Sequence, residues 1–125
     1  MHMIKMILSV GIGGAIGSLL RYGTGIWFAR FSNTGFPVAT FTVNIVGCFL
    51  IGLFYSLSEK YQWSHHEWRL FLITGLCGGL TTYSTFSYEN IRLLQEGKTT
   101  FFFTYSLGSF ALGLLATLLG INCIK

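Results

Sequence analysis

The chain has 125 residues, 52% hydrophobic and 10% charged, with a formal net charge of +4 and a mean hydropathy of +0.62. A soluble domain carries about 25% charged residues, so this composition excludes an ordinary cytosolic globule. The eight bases are scattered and form no run, which gives nucleic-acid binding no support.

Four apolar stretches, roughly 4–28, 36–57, 68–92 and 99–123, each hold about 20 or more residues, enough to cross a hydrocarbon core ~30 Å thick. They predict an all-α membrane protein of four transmembrane helices, one domain spanning 1–125, with little chain left outside. Four tight helices cannot enclose a wide aqueous pathway, so a transport function requires more than one copy.

The first stretch has the outline of a signal peptide, with Lys5 ahead of an apolar run and Ala15-Ile16-Gly17 as a small-residue site. The run continues past Arg21 to Trp27 and Phe28, and three more stretches follow, so a retained span is expected. Gly11, Gly13, Gly14, Gly17 and Ser18 line it, and the Gly13/Gly17 spacing lets helices approach closely. Arg21 sits about seven residues, roughly 10 Å, from the end of this span. It either snorkels to the headgroups or supplies positive potential near an anion entrance.

The 30–36 connection is a turn by composition, and Pro37 suits the first turn of the second helix. In that helix Thr40 and Asn44 are four apart and share a face. Asparagine at membrane depth needs a partner, and its NH2 offers two donors. An interhelical hydrogen bond and an anion contact both fit.

The third stretch is the unusual one. Gly75, Gly78 and Gly79 precede Thr81, Thr82, Ser84, Thr85 and Ser87, all inside a would-be span. Glycine permits the dihedrals that a helix break needs. Irregular backbone at membrane depth survives only inside protein or along a wet cavity, and broken helices expose carbonyls to ions. A broken third helix that handles ions is therefore expected. Tyr83 and Phe86, three apart, lie on one helical face. Their plain reading is aromatic packing; the sharper one is that the positive ring edges face an anion. Glu89 has Arg92 three residues on, the plain reading being an ion pair near the helix end. In the fourth stretch Tyr105 and Ser109 form a second polar stripe.

Across four spans the bases nearly balance. Lys5, Lys60, Arg69 and Lys125 fall on one side, against Arg30, Arg92 and Lys98 on the other, with Arg21 if it snorkels that way. Orientation follows an imbalance in Lys and Arg, so this chain is expected to insert both ways and pair as an antiparallel dimer. The alternative is that other features, such as the first helix, fix one orientation. Cys48, Cys77 and Cys123 lack metal-ligand spacing and read as small buried hydrophobes. His65-His66-Glu67 lacks the spacing of a zincin helix, and no enzyme signature is present.

The run from Gly78 through Leu80, Thr81, Thr82 and Tyr83 to Phe86, preceded by Asn44-Ile45-Val46-Gly47 and by Gly14 to Tyr22, closely resembles the Fluc/CrcB fluoride channel family. The likeness covers nearly the whole chain. It implies a dual-topology antiparallel homodimer in the cell inner membrane, with two narrow pores that export cytoplasmic fluoride passively. It further implies a structural Na+ at the dimer centre, bound by backbone carbonyls of Gly78 and Thr81 from each subunit. Tyr83 and Phe86 match the paired phenylalanines whose ring edges line the ion path. Asn44 matches the pore asparagine and Arg21 the vestibule arginine, while Thr40, Glu89, Tyr105 and Ser109 resemble the polar track beyond. Tyr83 departs from the usual phenylalanine, adding an O–H that can bond the anion or take its place. Two competitors are a proton-coupled small multidrug exporter and a non-transporting membrane subunit. The exporter needs an acid in its first span, where 4–28 has none; the subunit leaves the hydroxyl-dense break unexplained.

Overall fold

The computed structural model describes residues 2–31, 34–61 and 66–124, which form helices and turns with no strand among them. His65, Lys125 and parts of the expected 30–36 and 58–68 connections lie outside the described residues. Helices α1 (His2–Phe31), α2 (Val38–Lys60) and α6 (Thr99–Asn122) are each long and apolar enough to cross a membrane. Helix α1 runs through Ala15-Ile16-Gly17 without interruption, and Pro37 caps α2 one residue before it begins.

The third stretch is not a single helix. It opens with α3 (His66–Arg69), continues as a π-helical segment over Leu70–Cys77, and closes its first half with α4 (Gly78–Leu80). Thr81 and Thr82 are then extended, with φ/ψ of −122°/111° and −121°/121°, and α5 (Tyr83–Gln95) comes next. The extended pair falls within the glycine and hydroxyl run. Thr82 restarts the helix, its hydroxyl accepting from the Thr85 N–H at 3.3 Å; threonine at this position satisfies a donor that would otherwise be orphaned. Helix α5 ends in a Schellman turn. Gly97, at φ +76°, donates to Leu94 O at 3.1 Å and Lys98 donates to Leu93 O at 2.8 Å.

Helix α1 packs along the π-helical segment and α4, while α2 packs along α6. The first contact is backbone against backbone. A Cβ on Gly13 would strike the Phe71 carbonyl and one on Gly17 the Leu76 carbonyl, while from the other side one on Gly75 would meet Val10 O at 2.8 Å. Small residues at such crossings let helices gain dispersion contact where lipid offers no hydrophobic drive. The buried core is thin, comprising Val43, Ile73, Cys77, Leu80, Leu93, Tyr105 and Ala116. Large side chains such as Leu19 and Phe110 face outward, as expected where lipid or another protein surface covers them. Of the cysteines only Cys77 is buried. Cys48 is partly covered and Cys123 is exposed at the end of α6.

Candidate functional site

Asn44 lies opposite the break. Its Oδ1 accepts from the Thr82 backbone N–H at 2.9 Å. A backbone N–H can only donate, so the oxygen must face it and the NH2 must face away. Among the described residues that NH2 has no partner. The two readings of Asn44 thus divide between its atoms, with the oxygen making an interhelical bond and the nitrogen left as a free donor.

The space beside Asn44 is a groove of about 480 Å³ lined by Thr82, Tyr83, Phe86, Ser106 and Ser109, among others. Tyr83 is 81% exposed on its rim. Tyr83 and Phe86 have ring centroids 6.2 Å apart, and Phe86 lies 4.9 Å from Tyr105. The Ser109 Oγ is buried without a partner among the described residues, a second unspent donor on the same wall. Gly47 is explained here too, because a Cβ on it would collide with the Thr81 methyl.

Beyond Phe86 the polar residues converge on Glu89. Tyr105 donates to Oε1 at 2.8 Å and Thr40 to Oε2 at 3.0 Å. Tyr105 is 0% exposed, wedged against Phe36, Phe41 and Phe86. The expected Glu89–Arg92 pair gives way to a different arrangement. Arg92 bonds Glu96 at 3.2 Å, one helical turn further on, because Glu89 is turned inward to its two hydroxyl partners. From Tyr83 to Glu89 the helix rises about 9 Å, so donors and ring edges succeed one another along one flank of α5.

Arg21 is placed elsewhere. Its Nε donates to the Gly79 carbonyl at 3.1 Å, and it lines a separate groove that also touches Thr40 and Thr85. The end of α4 leaves several carbonyls without helical partners. Arg21 takes that of Gly79 and the Thr81 hydroxyl takes that of Cys77 at 2.9 Å. No hydrogen-bond donor among the described residues meets the carbonyls of Gly78 or Thr81. A Cβ on Gly78 would meet nothing within 4 Å, so that side of the break is open. Free carbonyl oxygens suit a hard cation. Among the described residues no cluster of three or more His, Cys, Asp or Glu competes for a metal.

Three residues that chain-order reasoning did not single out belong to this region. Thr82 joins α2 to the break through its N–H and caps α5 through its hydroxyl; its place in a hydroxyl-rich run was the only signal. Ser106 lines the groove one turn from Ser109. Asn90 is buried, donating to Phe86 O at 3.0 Å while its Oδ1 stays unpaired among the described residues.

Long apolar helices, one helical stretch broken at Thr81 and Thr82, and a groove of donors and aromatic edges define an integral membrane protein with a candidate site for a small ion. Residues 8–121 match the family described as "CrcB-like protein, Camphor Resistance (CrcB)", and the chain belongs to that family. It is 48% identical over 118 residues to a protein of Phocaeicola vulgatus named "Fluoride-specific ion channel FluC", covering 94% of this chain and 97% of the relative. A protein of the same name from Flavobacterium psychrophilum is 48% identical over 122 residues, 98% of each chain. One from Thermus thermophilus is 48% identical over 117 residues, covering 94% of this chain and 91% of the relative.

Proposed function

We propose that this chain is a fluoride-selective channel, not an enzyme, through which cytoplasmic fluoride leaves passively across the cell inner membrane. The observation that carries this reading is the Asn44 amide. Its oxygen is committed to Thr82 at 2.9 Å and its NH2 is free beside the Tyr83 and Phe86 rings and the unpaired Ser109 hydroxyl. Fluoride is small and strongly hydrated, so a pore that selects it must replace water with several donors. Conduction also requires that no single donor hold the ion too firmly. An amide, hydroxyls and ring edges meet both demands, whereas a buried lysine would trap the anion.

The working unit in this reading is an antiparallel homodimer of chains inserted in both orientations. The groove is open on the Tyr83 side, which a second copy would close, and the near-balance of bases removes orientational preference. The free carbonyls of Gly78 and Thr81 are the oxygens we assign to a structural Na+ shared between copies. Bound there, the ion supplies positive charge and joins the broken helices of the two chains.

The decisive experiment uses purified protein in liposomes. Fluoride-loaded vesicles should empty when an ionophore for the counter-cation is added, and chloride-loaded ones should not; comparable chloride efflux would sink the reading. Cysteines added at one terminus should be labelled about equally from both faces of the native membrane, and labelling from one face alone refutes dual topology. Replacing Na+ by a bulky organic cation should lower the dimer's thermal stability, and an unchanged melting curve counts against the Na+ assignment.

A further inference from the structure

A second cavity, of about 410 Å³, opens between α5 and the connection from α1 to α2, and both Phe36 and Glu89 line it. Tyr105, which donates to Glu89 Oε1 at 2.8 Å, is not part of its wall and is fully buried. Phe36 has one side on the cavity and meets Tyr105 with the other. Their ring centroids are 5.5 Å apart at an interplanar angle of 79°, an edge contact. Of the rings around Tyr105, Phe41 comes from α2 and Phe86 from α5. Phe36 alone among these three comes from a connection.

The backbone on either side gives this loop residue a definite place. Gly35 precedes it at φ +86°, a conformation that glycine adopts without strain. Pro37 follows at φ −77° and ψ 73°, and the Val38 N–H donates across it to the Phe36 carbonyl at 2.8 Å. Those dihedrals and that bond make an inverse γ-turn, with φ fixed by the proline ring. The ring itself makes two more edge contacts, with Phe41 at 5.9 Å and Phe101 at 5.6 Å. Such contacts are directional, so they set the ring's angle as well as its position. The same turn opens α2, which carries Thr40, the donor to Glu89 Oε2 at 3.0 Å. It therefore delivers one of the two Glu89 hydroxyls directly and braces the other.

We infer that Phe36 is a positioning residue for ion passage, holding the Tyr105 ring where its hydroxyl stays on Glu89. The inference rests on the fluoride-channel reading. An ionised carboxylate only accepts hydrogen bonds and repels an anion beside it. With a hydroxyl on each oxygen, Glu89 presents less of that charge to a passing fluoride. Taking away the Phe36 ring gives Tyr105 room to turn and opens the Tyr105–Glu89 bond to water from the cavity. A hydrogen bond is electrostatically weaker in water than in the protein interior, so Glu89 would then face the ion with one oxygen poorly paired.

The test is fluoride efflux from liposomes holding the full chain, with thermal unfolding read on the same preparations. The variants are Phe36→Leu, Phe36→Tyr, Tyr105→Phe and the double variant Phe36→Leu/Tyr105→Phe. Phe36→Leu should lose about tenfold in flux, the weak end of what a hydrogen bond to a charged group is worth. Phe36→Tyr should keep the flux that Phe36→Leu loses, because its ring edge remains and its added hydroxyl can point into the cavity. In the Tyr105→Phe background there is no hydroxyl left to place. Adding Phe36→Leu there should cost no further flux, although it should still lower the melting temperature. The same fold-loss in both backgrounds would mark a purely structural role and overturn the inference, as would unchanged flux in Phe36→Leu. If Phe36→Leu does not fold, Phe36→Met carries the same comparison. A parent that carries no fluoride at all is a different failure, removing the channel reading itself.

Discussion

Asn44 and Thr82 are 38 positions apart in sequence, and the bond between them, 2.9 Å from the Thr82 N–H to the Asn44 Oδ1, ties α2 to the point where the third apolar stretch is interrupted. Because Thr82 contributes backbone, its own side chain is irrelevant to that bond. The orientation of the Asn44 amide is therefore set by the break itself.

Asn44→Asp should keep this bond and lose the outward-facing donors, since an ionised carboxylate only accepts. Fluoride flux should fall by at least about tenfold, as a hydrogen bond to an ion is worth about 1.5–3 kcal/mol. Asn44→Ala should lose flux and also about 1–3 kcal/mol of stability, because the Thr82 N–H is then left unsatisfied. Efflux and thermal unfolding on the same preparations decide the matter. Normal flux in Asn44→Asp would mean that the amide serves only to hold the break.

Tyr83→Phe should leave the fold intact and hold or raise fluoride flux. Its ring is 81% exposed and its hydroxyl has no partner among the described residues, so the change removes an O–H and keeps the positive ring edge. Phe86→Ala should be worse on both counts, because Phe86 contacts both Tyr83 and Tyr105. Its stability cost should be about 2–3 kcal/mol, below the ~3–5 kcal/mol of a fully buried phenylalanine. Loss of transport in Tyr83→Phe with Phe86→Ala unaffected would show the conducting groups to be elsewhere.

Tyr105→Phe removes one of the two hydroxyls on Glu89 without emptying any space. Stability should drop by about 1.5–3 kcal/mol, as for a hydrogen bond to a charged group. Combining it with Glu89→Gln should cost less than the sum of the two single changes, since partners in one network are coupled. Strict additivity in a double-mutant cycle, read by thermal or denaturant unfolding, would refute the coupling.

Gly17→Ala should destabilise by about 1–3 kcal/mol or more, because its Cβ would run into backbone atoms of Leu76, Gly79 and Leu80 that cannot swing away. Gly25→Ala, on the same helix with nothing within 4 Å, should be neutral or stabilising by up to about 1 kcal/mol. Melting temperatures in detergent compare the two directly, and equal effects would disprove the close packing of α1 on the broken stretch.

The helical, membrane-spanning character of the chain was legible because composition alone forces it. The place of the break was legible as well, since glycine and hydroxyl residues crowd into it. Partners were much harder to read. Nothing near Asn44 in sequence points to Thr82. Arg92 has carboxylates at i−3 and i+4, and only packing reveals that Glu89 turns inward to Thr40 and Tyr105 and leaves Glu96 for the arginine. Arg21 was open to two readings, snorkelling to the headgroups or lending positive potential near an anion entrance, and neither pointed to the Gly79 carbonyl, whose bond to Nε is set by how closely the α1 glycines let α4 approach. The π-helical winding of Leu70–Cys77 left no trace that a 3.6-residue period could find.

That winding makes chain length in this stretch unusually forgiving. A π-helix bonds each residue to the fifth along instead of the fourth, so Leu70–Cys77 holds more residues per turn than α2 or α6. Deleting one residue there would let the segment relax toward ordinary α winding while Gly79 and the break keep their facing toward α1. A deletion ahead of Asn44 in α2 would instead swing every later side chain about a third of a turn and pull Asn44 away from Thr82. The third stretch thus carries slack in its own coil, ahead of the one place where its backbone must be set exactingly.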